Sequence, residues 1–118
     1  MTKNGKRTVI ITGAGQGIGQ AIAFCFAGDG SNIVIVSKDS YAQIQETIEG
    51  IESTGRKALA LDVDVRSNDE LKMIVSEAVA HFGSIDILVN NTSAPCFNDA
   101  LHTSPEQFDL IIRSYYAL

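Results

Sequence analysis

The sequence predicts an α/β protein in which helices cover both faces of one parallel, doubly wound sheet. Strand-like apolar runs recur at a nearly regular interval along the 118 residues, with helical patterns between them. The runs are continuously apolar, which is typical of parallel strands buried on both faces. Strands that alternate with helices through right-handed crossovers form a doubly wound sheet. The predicted strands are 9–12, 33–36, 58–61 and 85–89.

The first two predicted helices are each recognised by an apolar face at helical spacing. The first helix follows a glycine-rich turn after the first strand. The second helix stops at Gly55, a residue suited to the left-handed position after a helix. The residues predicted to face the sheet are Ile18, Ala21, Ile22 and Cys25 in the first helix and Ile44, Ile48 and Ile51 in the second.

The last two predicted helices begin with capping signals. Ser67 and Glu70 form a capping box before the third helix, which Gly83 ends. Ser104, with Pro105 at the first helical position and a glutamine that closes the box, begins the fourth. The predicted apolar faces are Leu71, Ile74, Val75, Ala78 and Phe82 in the third helix and Phe108, Ile111, Ile112 and Tyr115 in the fourth.

The turn between the first strand and the first helix contains Gly13, Gly17 and Gly19. Positions without side chains allow a backbone to approach a pyrophosphate, and the free N–H groups and dipole of a helix start attract its charge. The turn therefore predicts dinucleotide binding. The alternative is that these glycines only permit tight packing of the helix on the sheet.

The glycine spacing after Thr12 resembles the Thr-Gly-x-x-x-Gly-x-Gly pattern of the classical short-chain dehydrogenases/reductases. Residues 85–91, Ile-Asp-Ile-Leu-Val-Asn-Asn, resemble the fourth strand of that family where it runs into Asn-Asn-Ala-Gly. Asp64-Val65 occupies the place of an adenine-contacting Asp-Val, and residues 81–83 resemble the helix end before strand four. The resemblance implies that residues 1–118 are the amino-terminal half of such an enzyme, a Rossmann-type NAD(P)-binding domain.

Residues 93–110 look most like the hydroxysteroid-dehydrogenase-like subgroup of the family. Thr92-Ser93 departs from the family's Ala-Gly and adds bulk near the expected cofactor path. Asn90 and Asn91 have an alternative role, since short polar side chains at a strand end commonly hydrogen-bond neighbouring backbone; for Asp64 the alternative is a solvated carboxylate. The cofactor-binding residues that the resemblance implies are Gly13, Gln16, Gly17, Ile18, Gly19, Ser37, Lys38, Asp64, Val65, Asn90 and Asn91.

The end of the second strand bears on the choice between NAD and NADP. An acidic residue there would accept hydrogen bonds from the ribose of NAD and repel a 2′-phosphate. Here the position is Ser37, followed by Lys38, which favours NADP(H). NAD stays possible because Asp39 is adjacent and Gln16 replaces the basic residue of many NADP-preferring relatives. Lys38 has the alternative of a solvated turn residue.

The sequence has no catalytic residue to match the family. The resemblance implies that a serine and a Tyr-x-x-x-Lys pair would move the proton, but Tyr41 is followed four positions on by Gln45, and no lysine follows Tyr115. Tyr115 also stands where an asparagine completes the family's proton relay. We therefore expect the NADP(H)-binding half of an oxidoreductase for alcohol or carbonyl groups, shortened by design or by an interrupted gene and inactive alone. The alternative is a non-catalytic nucleotide-binding module that acts as a sensor or partner subunit.

Composition and charge exclude several other classes. A net charge of −5 without a basic stripe disfavours nucleic acid. No apolar run approaches the ~20 residues of a membrane span, and no signal peptide is visible, so we expect a cytoplasmic protein. Cys25 and Cys96 lack metal-ligand spacing, and His81 and His102 have no partner at useful spacing, so no metal site is predicted.

The fourth strand and fourth helix predict self-association. In the family's strand order of three, two, one, four, a fifth strand would pair with the fourth, and this chain has none. Residues 85–89 would then present an apolar edge, which invites pairing with another chain. The apolar face of the fourth helix lacks its partner helices in the same way. We therefore expect a homo-oligomer through the strand edge, the terminal helix, or both.

Overall fold

Strands and helices alternate along the chain in the computed structural model, which describes residues 6–15, 17–37, 41–63, 67–91 and 100–116. This confirms the predicted α/β class. The elements are β1 (Thr8–Thr12), α1 (Gly17–Gly28), β2 (Asn32–Val36), α2 (Tyr41–Glu52), β3 (Ala58–Leu61), α3 (Asn68–Phe82), β4 (Ile87–Val89), a 3₁₀ turn (Ala100–His102) and α4 (Pro105–Tyr116).

The described strands form one parallel sheet in the order β3-β2-β1-β4, as predicted. Val9 of β1 is in register with Ile33 of β2 on one side and with Ile87 of β4 on the other. From β1 the chain moves outward through β2 to β3, and it then returns to the other side of β1 to form β4. The direction in which strands are added therefore reverses beside β1. The carboxyl end of β1 is the place where open α/β sheets bind ligands.

Apolar side chains pack on both faces of the sheet. Alternate residues of a strand point to opposite faces, so Ile11 packs beneath α1 and α2, whereas Ile10 packs beneath α3. Every residue of β1 and β2 is buried, which explains why residues 9–11 and 33–36 are continuously apolar. The main buried residues are Val9, Ile11, Ala23, Ala27, Ile33, Ile35 and Ile51 on the first face and Ile10, Val34, Val36, Val63, Ile74, Ala78 and Phe82 on the second.

The predicted buried face of α1 is wrong in part. Ile18 is 74% exposed, and Ala21 and Cys25 are exposed as well, whereas Ile22 packs against the core. The residues that α1 buries are Gly19, Ala23 and Ala27. This face is turned by one residue, about 100°, and at Gly19 it has no room for a side chain because Gly13 and Asn91 lie against it.

Helix α3 confirms its predicted ends. Ser67 Oγ accepts a hydrogen bond from the N–H of Glu70, at 3.4 Å. Gly83 is left-handed, with φ 88°, and its N–H donates to the carbonyl of Val79. The prediction that Val75 belongs to the buried face is wrong. Val75 is 48% exposed and lies beside the buried stripe of Ile74, Ala78 and Phe82.

Strand β4 begins at Ile87, two residues later than predicted. The carboxylate of Asp86 accepts from the N–H of Thr8, at 2.8 Å, and from Ser84 Oγ, at 3.0 Å. The N–H of Asp86 also donates to the carbonyl of Thr8, at 3.0 Å, so Asp86 joins the start of β1 through both its backbone and its side chain. Ile85 still packs against the core under α3.

Helix α4 begins with the predicted capping box. Ser104 N–H donates to Gln107 Oε1, at 2.9 Å, and Gln107 N–H donates to Ser104 Oγ, at 3.1 Å. On its apolar face Phe108 is 58% exposed and Ile112 is 40% exposed. The side chains of Ile111 and Tyr115 lie outside the described part of the structure.

Candidate functional site

The glycine turn joins the end of β1 to the start of α1. Gly13 is left-handed, with φ 72°, a conformation that costs a residue with a side chain roughly 1–2 kcal/mol. Its N–H donates to the carbonyl of Val36, the last residue of β2, at 2.8 Å. The turn is therefore tied to the carboxyl edge of the sheet.

Gly17 begins α1 and leaves open space above the backbone. It is left-handed, with φ +61°, and a Cβ built on it would have no heavy atom within 4 Å among the described residues. The first turn of α1 contains no acidic residue, so that turn itself supplies no carboxylate to the positive end of the helix dipole. The backbone at this position can accept an anion at close range.

Gly19 has the opposite surroundings. A Cβ there would overlap the carbonyl oxygen of Gly13 and stand 2.6 Å from Asn91 Nδ2. Only glycine lets the first turn of α1 pack this closely against the glycine turn and the end of β4. Gly17 and Gly19 therefore have different surroundings: Gly17 faces open space among the described residues, and Gly19 allows close packing.

Asn91 connects the end of β4 to the glycine turn. Its Nδ2 donates to the carbonyl of Gly13, at 3.2 Å, and its N–H donates to Thr12 Oγ1, at 2.8 Å. The side chain thus has the structural role that was one of its two predicted alternatives. A contact between Asn91 and a cofactor stays a prediction.

Thr47 of α2 also holds the turn, and the sequence reasoning missed it. Its side chain is fully buried, and Oγ1 lies 3.0 Å from the carbonyl of Ala14 and 3.4 Å from that of Gly15. Its place in the sequence carried a signal, because Thr47 lies at helical spacing from Ile44 and Ile51 on the buried face of α2. A hydroxyl on such a face must find a hydrogen-bond partner.

The remaining predicted site residues are spread around this edge. Ser37 is buried just after β2, and its N–H donates to the carbonyl of Leu61, at 3.2 Å. Asn90 is exposed after β4, and Ile18 is exposed at the start of α1. Gln16, Lys38, Asp64 and Val65 lie outside the described residues, as does Cys96.

No metal centre or membrane span is evident in the ranges that the structure describes. No cluster of three or more His, Cys, Asp or Glu residues there is suited to hold a metal ion. None of the helices in these ranges is both long enough and apolar enough to cross a membrane. His81 is exposed, and its Nδ1 lies 3.8 Å from the carboxylate of Glu77, one helical turn earlier.

Comparisons with known proteins agree with this arrangement. A family model described as short chain dehydrogenase matches residues 7–114. Hydroxysteroid dehydrogenase-like protein 2 of Bos taurus is 45% identical over 111 residues, which cover 89% of this chain and 27% of the bovine protein. The chain thus spans about a quarter of the length of that relative.

Solved structures of similar fold include dehydrogenases from two bacteria. A putative dehydrogenase from Xanthomonas campestris is 40% identical, with a TM-score of 0.78 over 88% of this chain and 40% of that one. A short chain dehydrogenase from Mycobacterium paratuberculosis, solved bound to NAD, is 29% identical, with a TM-score of 0.84 over 92% of this chain and 44% of that one. From the glycine turn, the sheet order and these matches together, it follows that the chain belongs to the short-chain dehydrogenase family and carries its amino-terminal, nucleotide-binding region.

Proposed function

We propose that residues 1–118 are one NAD(P)-binding domain and the cofactor-binding part of an oxidoreductase for alcohol or carbonyl groups. The observation that carries the proposal is Gly17, whose left-handed backbone faces open space at the positive end of α1. A pyrophosphate fits such a position because no side chain intervenes and backbone N–H groups can donate to it. The chain covers only 27% of its bovine relative. The oxidoreductase activity, which would belong to a longer protein, is therefore proposed as well.

In the proposed complex the dinucleotide lies across the carboxyl edge of the sheet. Its pyrophosphate rests on the glycine turn and the backbone of Ile18 and Gly19, and Gln16 borders it. The adenine contacts Asp64 and Val65, and the nicotinamide half passes Asn90 and Asn91. The nicotinamide, when bound, supplies or accepts a hydride.

We further propose that NADP(H) is preferred over NAD(H). Ser37 follows β2 and lacks the acidic side chain that would repel a 2′-phosphate, and Lys38 adds a cation next to it in the sequence. The Mycobacterium paratuberculosis structure contains NAD, so a nicotinamide dinucleotide is the class of ligand that the comparisons support. The choice between the two forms rests on Ser37 and Lys38.

The 118-residue chain is proposed to bind the cofactor without turning it over. Its sequence contains no Tyr-x-x-x-Lys, and hydride transfer to a carbonyl requires a group that supplies the accompanying proton. Sustained NADPH oxidation that depends on an added ketone, in protein free of host reductases, would contradict this. The DNA downstream of codon 118, read in three frames, would reveal a Tyr-x-x-x-Lys if the chain is an interrupted enzyme rather than a separate module.

Substitution of Gly17 by valine tests the proposed pyrophosphate site. The new side chain would occupy the open space above the turn, so we expect Gly17→Val to abolish binding of both NADPH and NADH. Binding is measured by fluorescence titration of the reduced cofactor, and the fold is checked by circular dichroism.

Gly55→Val is the matched control. Gly55 is also left-handed, with φ +86°, and a Cβ there would likewise meet nothing within 4 Å among the described residues. Both variants therefore carry similar backbone strain, but Gly55 lies after α2, away from the glycine turn. Cofactor binding that survives in Gly17→Val, or is lost equally in Gly55→Val, would contradict the proposed site.

A further inference from the structure

Thr47 occupies a position where three carbonyl groups compete for one hydroxyl proton. Its Oγ1 lies 3.0 Å from the carbonyl oxygen of Ala14, 3.2 Å from that of Gln43 and 3.4 Å from that of Gly15. The Gln43 contact is the ordinary bond of a helical threonine to the residue four positions earlier. The Ala14 contact is shorter and joins residues 33 positions apart.

Gln20 of α1 forms a further hydrogen bond with the same hydroxyl. Its Nε2 donates to Thr47 Oγ1, at 3.0 Å. A hydroxyl accepts through its lone pairs and donates through its single proton, so the bond from Gln20 leaves that proton for a carbonyl. The chain of hydrogen bonds links α1, α2 and the glycine turn.

The hydroxyl of Thr47 is hydrogen-bonded to the peptide group that joins Ala14 and Gly15 in the turn. The described peptide bonds are all trans, and in a trans peptide the carbonyl and the next N–H point in opposite directions. While the carbonyl of Ala14 is held toward α2, the N–H of Gly15 faces away from α2. If this carbonyl were released, the peptide group would be able to rotate and the N–H would lose its fixed direction.

We infer that Thr47 is a positioning residue for the nucleotide pyrophosphate: through its bond to the Ala14 carbonyl, it fixes the peptide group between Ala14 and Gly15 and so the shape of the turn on which the pyrophosphate rests. The inference rests on the proposed function of the glycine turn, and it assigns to α2 a part in cofactor affinity. Thr47 itself does not contact the cofactor. A hydroxyl whose only purpose was to satisfy its own buried oxygen would affect stability and leave affinity unchanged.

The test compares Thr47→Val with Thr47→Ser in the full 118-residue chain. Valine has nearly the shape of threonine but no hydroxyl, and serine keeps the hydroxyl. We expect Thr47→Val to raise the dissociation constant for NADPH by about five- to tenfold, the effect of one hydrogen bond. For Thr47→Ser the dissociation constant should stay within about twofold of the wild-type value. Affinity is measured by fluorescence titration and the melting temperature alongside it.

Thr54→Val is the control for loss of a threonine hydroxyl near α2. Thr54 Oγ1 donates to the carbonyl of Ile51, at 2.6 Å, just after the helix ends. This variant should leave affinity unchanged. Equal affinity in Thr47→Val and wild type, or equal losses in Thr47→Val and Thr54→Val, would overturn the inference.

Hydrogen exchange of the turn amides separates this inference from the proposed function. Without any cofactor, residues 13–19 should exchange about five- to tenfold faster in Thr47→Val than in wild type or Thr47→Ser, because one hydrogen bond is lost. If the wild-type chain bound no dinucleotide, the proposed function would fail, and so would the assignment of Thr47 to cofactor binding. If the wild-type chain binds the dinucleotide but Thr47→Val exchanges these amides no faster than wild type, only the role of Thr47 would be overturned.

Discussion

The two central strands of the sheet, β1 and β2, which we call the covered side, are buried more completely than β4 and α4, which we call the uncovered side. Strands β1 and β2 are buried along their whole length, with helices on both faces. Strand β4 is only partly buried, with Leu88 41% exposed, and in α4 the apolar residues Phe108 and Ile112 are exposed to solvent. The covered side holds the glycine turn, and the uncovered side has apolar surface without a partner in the described residues.

We propose from this difference that cofactor binding and self-association depend on different parts of the chain. The open backbone at Gly17 is supported from within the covered side, by Val36 through Gly13 and by Thr47 through Ala14. The uncovered side contributes Asn91 to the turn and otherwise offers surface. Copies of the chain are proposed to meet there, at the edge of β4 or on α4, because exposed apolar residues and strand edges favour association.

A pair of identical substitutions gives the largest expected difference between the two sides. Ile35→Ala opens a cavity in the covered core, where the side chain is fully buried, and should lower the free energy of unfolding by about 2–5 kcal/mol. Ile112→Ala removes the same atoms from a partly exposed position and should cost less than about 1 kcal/mol. Urea unfolding followed by circular dichroism measures both.

If Ile35→Ala does not fold, Ile35→Val and Ile112→Val provide a milder pair. The buried site should then lose about 0.5–1.5 kcal/mol and the exposed site close to nothing. Equal losses at the two positions would mean that α4 is packed as tightly as β2, which would remove the contrast between the two sides.

Self-association through the uncovered side is the next effect in size. We expect light scattering after size exclusion at low micromolar concentration to give the mass of a homo-oligomer. Burial of each large apolar side chain contributes about 1.5–3 kcal/mol, so several together can offset the cost of association, roughly 4–15 kcal/mol. Leu88→Lys and Ile112→Glu should shift the population toward monomer.

Leu88 is a better probe of the strand edge than Val89, because Val89 packs against the core and Leu88 is exposed. A monomeric wild-type chain would contradict the association. An oligomer that neither substitution weakens would place the contact on another surface.

Cofactor preference is a smaller effect and tests the covered side alone. If Lys38 contacts the 2′-phosphate, NADPH should bind at least about tenfold more tightly than NADH, and Lys38→Glu should erase the difference. Lys57→Glu changes the net charge equally, but it precedes β3 at the opposite end of the sheet. Equal affinities of the wild type for the two cofactors, or an equal effect of Lys57→Glu, would contradict the assignment to Lys38.

Features encoded by neighbouring residues were predictable from the sequence. The left-handed cap at Gly83 and the reciprocal bonds between Ser104 and Gln107 follow from local backbone chemistry. The buried strands followed from their continuous apolar runs, because a parallel sheet covered on both faces requires them.

Features that depend on distant packing were harder to predict. Helix α1 is apolar nearly all round, so its periodicity did not select the face with Gly19 over the face with Ile18. That face is selected by the closeness of Gly13 and Asn91. Thr47 was missed because its acceptor belongs to the turn after β1, far from α2 in the sequence.

The glycine turn is held by residues far away along the chain, and this affects the order of folding. Asn91 is 78 positions from Gly13, and Thr47 is 33 positions from Ala14. Contacts between such distant residues form slowly, because the loop between them must close, at a cost in chain entropy, before the contact stabilises the fold. A ribosome must therefore have synthesised the chain past β4 before the turn can acquire its complete set of bonds. Nascent chains that end before Asn91 would lack the finished turn, however complete their first strand and helix.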